Sequence, residues 1–225
     1  MNLVAASFAW PFRGDWLPKW LVGVVMVVLL PIAFIPLLGY AVAATRSASV
    51  DPANGLPRWV VSGRLLTDGF WVAIAVLLVA APFALAASPL ATRVDEAHLW
   101  HVADPALSRL YANVAVVFAL ALPWGFVMLL LMPHATARFA ASGHPADLFD
   151  FRASLRGIAR DFTTWNLAAA AIVTAWAAGL ACVGLLCVGL VPGIFYAVLV
   201  SAHASAALEN SAGAHRAQVA NTTPG

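Results

Sequence analysis

Polar and apolar positions along the chain fall into long blocks. Thr163 to Leu208 contains no Asp, Glu, Lys or Arg over 46 consecutive residues. A bilayer core of about 30 Å takes roughly 20 helical residues at about 1.5 Å each, so this block is long enough to cross twice. Gly184, Gly189, Pro192 and Gly193 cluster in its middle and predict a turn there, which makes the block a helical hairpin. Three shorter charge-free blocks precede it: Leu21 to Thr45, Gly69 to Thr92 and Leu110 to Ala137. Each is long enough to span once with some tilt. Pro31 and Pro36 fall in the middle of the first and must bend it, because proline removes a backbone donor and crowds the preceding turn.

The predicted fold is all-α, a polytopic integral membrane helical bundle of about five transmembrane helices. The spans fall near 21–44, 69–91, 112–132, 165–187 and 191–208, in a single domain over 1–208. The small and polar stretch 209–225 reads as a disordered tail.

A different period appears between Asp147 and Phe162. Leu148, Phe151, Leu155, Ile158 and Phe162 recur every three or four residues, while Arg152, Arg156 and Arg160 fall four apart on another face. The pattern predicts an amphipathic interfacial helix over 147–162 on the cytoplasmic side, with guanidinium groups among anionic headgroups. Each basic residue near an anionic leaflet contributes on the order of 1 kcal/mol. A helix that simply covers the end of the bundle accounts for the same residues, and a specific phosphorylated ligand is the sharper alternative. In the final hairpin Ala171, Ala175 and Gly179 recur every four residues, and Gly189 and Gly193 repeat the spacing at the turn. Such a strip of small residues lets another helix approach closely.

Composition agrees with the blocks. The chain is 63% hydrophobic and 10% charged, with a mean hydropathy of +0.88, which leaves no separate soluble core. A net charge of +2 gives no case for nucleic acid as a partner. Met1 to Trp20 has no positive region ahead of its apolar start and does not read as a cleavable signal. Its Trp10, Trp16 and Trp20, interleaved with Arg13, Asp15 and Lys19, read as a headgroup-level segment. An aromatic ligand site is the alternative.

The positions of the cations predict an orientation. Five spans place Arg13, Lys19, Arg93 and Arg109 on one side. Arg46, Arg58, Arg64, Arg138, Arg152, Arg156, Arg160 and Arg216 fall on the other, which the positive-inside bias makes cytoplasmic. A competing pattern points elsewhere. Arg13 to Trp20, Arg64 to Trp71 and Arg156 to Trp165 each pair an amphipathic piece with a Trp-flanked span. If these are copies of one unit, all three share a side, and the proline-broken first span must hold an extra crossing or a re-entrant segment.

Candidate chemistry is sparse. Asp95, Glu96, His98, His101 and Asp104 are the one cluster with metal-ligand character, and His98 and His101 would share a helix face at their i, i+3 spacing. A metallohydrolase helix places its histidines at i and i+4 around a Glu, so a solvated polar loop is the better reading. Cys182 and Cys187, five apart, read as small buried hydrophobes. His134 falls just past the third span at the interface, and His203 reads as a packing donor in the last one. No Ser/His/Asp or paired-carboxylate arrangement occurs, so no enzyme, cofactor or metal is expected.

Leu38-Gly39-Tyr40 with Arg46 shortly after, then Leu56-Pro57-Arg58-Trp59 and Asp68-Gly69-Phe70, resemble the uncharacterised prokaryotic membrane family catalogued as domain of unknown function 4013. Asp150-Phe151, Phe195-Tyr196 and Ala202-His203 are similar to that family too, whereas Ser205-Ala206-Ala207-Leu208 departs from its Gly-containing ending. The resemblance implies a multi-pass protein of the bacterial plasma (inner) membrane and brings no activity, cofactor or catalytic residue. The expected role is a membrane scaffold, assembly or lipid-organising component whose partners are anionic membrane lipids, other membrane proteins or a second copy of itself. A transporter or permease subunit for a hydrophobic or lipid-like substrate is the alternative, since no charge lies at mid-membrane to couple an ion.

Overall fold

The computed structural model describes residues 3–53, 55–96, 104–182 and 189–222. The helices are α1 (Leu3–Ala9), α2 (Leu17–Val28), α3 (Leu30–Val50), α4 (Gly63–Glu96), α5 (Asp104–Ser142), α6 (Ala146–Phe149), α7 (Phe151–Arg160), α8 (Phe162–Ala181) and α9 (Leu190–Thr222), with a 3-10 turn at Trp10–Phe12. No strand occurs among the described residues. Among the described residues, four helical segments are long and apolar enough to cross a bilayer: Leu30–Val50, Gly63–Pro82, Phe162–Ala181 and Leu190–Ala214. The expected third span, 112–132, lies within α5, which runs unbroken to Ser142. The fold is an all-α membrane bundle.

Where one domain was expected, the chain groups into two compact units, Met1–Ala73 with Leu131–Gly225, and Ile74–Leu130. In the second unit Trp124 donates its indole N–H to the Val79 carbonyl at 2.7 Å, which ties α5 to α4. Leu77, Leu78, Val116, Phe118, Leu122 and Phe126 point outward, as a lipid-facing surface requires.

The first expected span, 21–44, is not one helix. The chain breaks at Leu29, so that Pro31 falls in the first turn of α3, where its missing N–H costs nothing. In a continuous helix the same ring would clash with the Val27 carbonyl. The two pieces fold back on each other, as Phe195 of α9 shows. A Cβ on Gly23 would lie 2.0 Å from the Phe195 ring, and the Phe195 and Tyr40 ring centroids are 6.2 Å apart. On one straight helix Gly23 and Tyr40 would be about 25 Å apart.

The fold-back brings Arg13 and Lys19 to the link after α3, against the placement that five uninterrupted spans predicted. Arg13 donates to the Pro52 carbonyl at 3.1 Å, and Lys19 to that of Leu56 at 2.5 Å. Arg64, opening α4, lies 3.9 Å from where a Gly143 Cβ would sit. The links before α2, after α3 and after α5 therefore adjoin one another.

Three further expectations are corrected. Trp10 is 0% exposed and packs in the core with Leu37, Tyr40, Phe195 and Leu199 rather than facing outward; Trp16 and Trp20 are half-buried beside Phe12 and Tyr196. The helix expected over 147–162 is cut at Asp150 and Asp161. Each of these carboxylates accepts from the amide three residues on, Ala153 and Thr164, and so starts a new helix by capping it. The stretch expected to be a disordered tail continues α9 to Thr222, because Ala206, Ala207, Ala212, Ala214, Ala217 and Ala220 are strong helix formers.

Candidate functional site

The hairpin of α8 and α9 is the frame of the larger unit. Ala171 and Ala175 are fully buried, and Gly179 lies against Gly193, where a Cβ on either would sit 2.7 Å from the other's carbonyl oxygen. Gly189 is half-buried at the turn, its carbonyl accepting from the Gly193 amide at 3.0 Å. Higher on the same pair, His203 Nδ1 hydrogen bonds Ser7 Oγ at 2.9 Å and its ring packs on Trp10. The histidine expected to be a packing donor thus holds α1 against α9.

A second cluster joins α3, α4 and the link between them. Tyr40 donates to the Pro57 carbonyl at 3.0 Å and stacks on Trp59 at 3.7 Å, while Trp59 donates to the Lys19 carbonyl at 2.9 Å. Gly39 and Gly69 let the two backbones meet: a Cβ on Gly39 would fall 2.0 Å from the Leu65 oxygen, and one on Gly69 2.0 Å from that of Ile35. Arg46 pairs with Asp68 at 3.1 Å and donates to the Ala140 carbonyl at 2.8 Å.

The polar site lies beyond this cluster, where α5 ends and α7, α8 and α9 meet. A cleft of about 660 Å³ is lined by His134, Arg138, Arg156, Gly157, Arg160 and Asp161, with Asp147, Ser142, Glu209 and Ser211 at its sides. Arg138 bonds Asp147 at 2.5 Å and lies 3.6 Å from Asp150, and the Ser142 hydroxyl also reaches Asp147. Asp161 is held below the usual carboxylate range by hydrogen bonds from the Thr164 side chain and amide and from Ser211, helped by the nearby His134. Asp150 is lowered by the Ala153 amide and then by Arg138 and Arg156.

His134 is 7% exposed. Its ring packs against Gly157, where a Cβ would lie 2.9 Å away, so α7 can cross here only because that residue has no side chain. Burial and then the Arg138 charge hold His134 below the ordinary imidazole range. Its Nε2 is buried without a hydrogen-bond partner among the described residues.

The three arginines expected to form one stripe are sorted by this geometry. Arg156 and Arg160 line the cleft, whereas Arg152 does not. All three are exposed, and among the described residues none has a carboxylate within ion-pair distance. On the apolar side Leu148 and Ile158 are buried, while Phe151, Leu155 and Phe162 remain exposed. The periodicity 147–162 marked the segment but not the cleft, since His134, Arg138 and Glu209 come from helices far off in sequence.

His98 and His101 lie outside the described residues. Asp95, Glu96 and Asp104 are placed only as the ends of α4 and α5. No cluster of three metal-ligating side chains occurs among the described residues. Cys182 is half-buried at the end of α8, and Cys187 lies outside the described residues.

Long apolar helices with polar side chains gathered at their links define an integral membrane protein. The chain belongs to the family described as protein of unknown function (DUF4013), whose model matches residues 22–189. No curated protein and no solved structure matches it. Of the residues on which the resemblance was read, Gly39, Tyr40, Arg46, Pro57, Trp59, Asp68 and Gly69 meet in the second cluster, where α3 packs on α4.

Proposed function

We propose that the protein is a non-enzymatic component of the bacterial plasma membrane that organises anionic lipid around one end of its bundle. The observation that carries this reading is the set Arg152, Arg156 and Arg160, exposed on one short helix with no carboxylate within ion-pair distance among the described residues. Exposed guanidinium groups at a membrane interface pair with lipid phosphates, which supply the counter-charge. The apolar Phe151, Leu155 and Phe162, exposed on the same segment, suit the acyl boundary. The test is lipid analysis of the protein purified from native membrane in mild detergent. Enrichment of anionic over zwitterionic lipid that disappears when all three arginines become Gln supports the reading; enrichment unchanged by the triple substitution overturns it.

A second reading has its own observation. The break at Leu29 leaves α2 as a 12-residue helix folded against α3, and broken helices of this kind line the substrate path in many transporters. A small apolar molecule retained through purification, and lost when Gly23 or Phe195 is changed, is the outcome that favours a permease.

A further inference from the structure

We propose that the cleft between α5, α7 and α9 is a discrete binding site for a phosphate group, with Arg156 and Arg160 as its charged partners and His134 in its wall. The inference rests on the lipid-organising reading and sharpens it from a diffuse stripe to one site.

The first argument is electrostatic. Asp147 is taken up by Arg138 and Ser142, and Asp161 by the amide and hydroxyl that cap α8. Asp161 and Glu209 keep their charges in the lining opposite Arg156 and Arg160, but neither arginine has a carboxylate within ion-pair distance among the described residues, so both forks are open to an anion in the cleft. Guanidinium groups match the oxygens of phosphate with paired hydrogen bonds, which a mobile surface stripe does not need and a walled cleft provides.

The second argument is independent of charge. A buried ring nitrogen without a partner is uncommon and calls for an explanation. The ring of His134 forms part of the cleft wall, and its Nε2 has no hydrogen-bond partner among the described residues. In the tautomer that carries its proton on Nε2, that nitrogen can donate to a phosphate oxygen. The volume of about 660 Å³ exceeds what a bare ion needs and suits a phosphate carried on a small organic group.

A lipid headgroup and a soluble phosphomonoester share this chemistry. The experiment uses the full chain in phosphatidylcholine nanodiscs, with phosphatidylglycerol doped into the disc as one probe and glycerol 3-phosphate in solution as the other. Binding of either probe that falls about tenfold in Arg156→Gln and in Arg160→Gln, and by clearly less in Arg152→Gln, whose side chain lies outside the cleft, is the expected result. Arg156→Lys should recover only part of the loss, because the charge remains and the fork does not. An unchanged melting temperature in each variant shows that the bundle is intact.

Response to phosphatidylglycerol alone identifies the lipid as the source, and response to glycerol 3-phosphate identifies a soluble ligand; both support the site. Equal losses in all three variants overturn the cleft and leave the diffuse stripe standing. No binding of either probe overturns the cleft. If only the preference for anionic lipid is missing while glycerol 3-phosphate still binds through Arg156 and Arg160, the lipid-organising reading fails and the site remains.

Discussion

Arg46 of α3 reaches Asp68 of α4 at 3.1 Å and closes the packing of the two helices, with Asp68 only 7% exposed. Removing the arginine strands a buried carboxylate, and such a break costs about 3 kcal/mol or more. Arg64, 4.0 Å from the same carboxylate, offsets a small part of this from its exposed position. Arg46→Met should therefore lower the melting temperature in detergent markedly. Arg46→Met with Asp68→Leu should recover most of the loss, and a double variant no better than the single one would show that the pair is not the cause.

Gly179 and Gly193 set the separation of α8 and α9. Gly179→Val forces the backbones apart, and overpacking of this kind costs about 1–3 kcal/mol. Gly125→Ala, where a Cβ meets nothing within 4 Å, serves as the control and should lose no stability. Thermal unfolding of both variants in the same micelles makes the comparison.

Phe195 is the common seat of α2 and α3. Phe195→Ala should cost about 3–5 kcal/mol, as for a large buried aromatic. Gly23→Ala should destabilise the native chain but not the Phe195→Ala background, where the added methyl fits the vacated space. Tyr40→Leu should likewise couple to Phe195 by more than about 0.5 kcal/mol. Additive effects at both positions would mean that α2 does not fold back on α3.

His134 makes stability depend on pH. Its folded value lies below that of the free imidazole, about 6.5, because burial and Arg138 disfavour the charged ring. Below about pH 6.5 the unfolded chain takes up a proton that the folded chain refuses, so stability is full above that pH and falls as pH drops toward the folded value. Asp150 and Asp161, lowered in the folded state, add stability that is lost only in the acid range beneath the ordinary carboxylate value. Melting curves from about pH 8 to about pH 5 should show the first effect, and His134→Gln should flatten it. Parallel curves for the two proteins would count against the assignment.

Long charge-free blocks were legible because crossing a bilayer imposes a length and a polarity on every residue of a span. The hairpin of α8 and α9 and the helix containing 112–132 follow from that rule. Asp150 and Asp161 were legible as residues but not as breaks. The three-and-four spacing from Leu148 to Phe162 runs through both, and only the Ala153 and Thr164 amides reveal that each Asp caps a new helix. Trp10 misled for a related reason: an indole suits an interface and a core equally, and the packing of Leu37, Tyr40 and Phe195 decides which one it meets.

By itself the sequence determined that the protein is a helical membrane protein, where its apolar helices lie and which segment carries three arginines four residues apart. Those properties are sums over neighbouring residues. Tertiary structure alone decided that the first span folds back at Leu29, that Arg13 and Lys19 join the link after α3, and that Arg156 and Arg160 share a cleft with His134 while Arg152 does not. Each of these depends on residues tens to hundreds of positions apart, and a periodic pattern carries no information about which distant helix a face will meet.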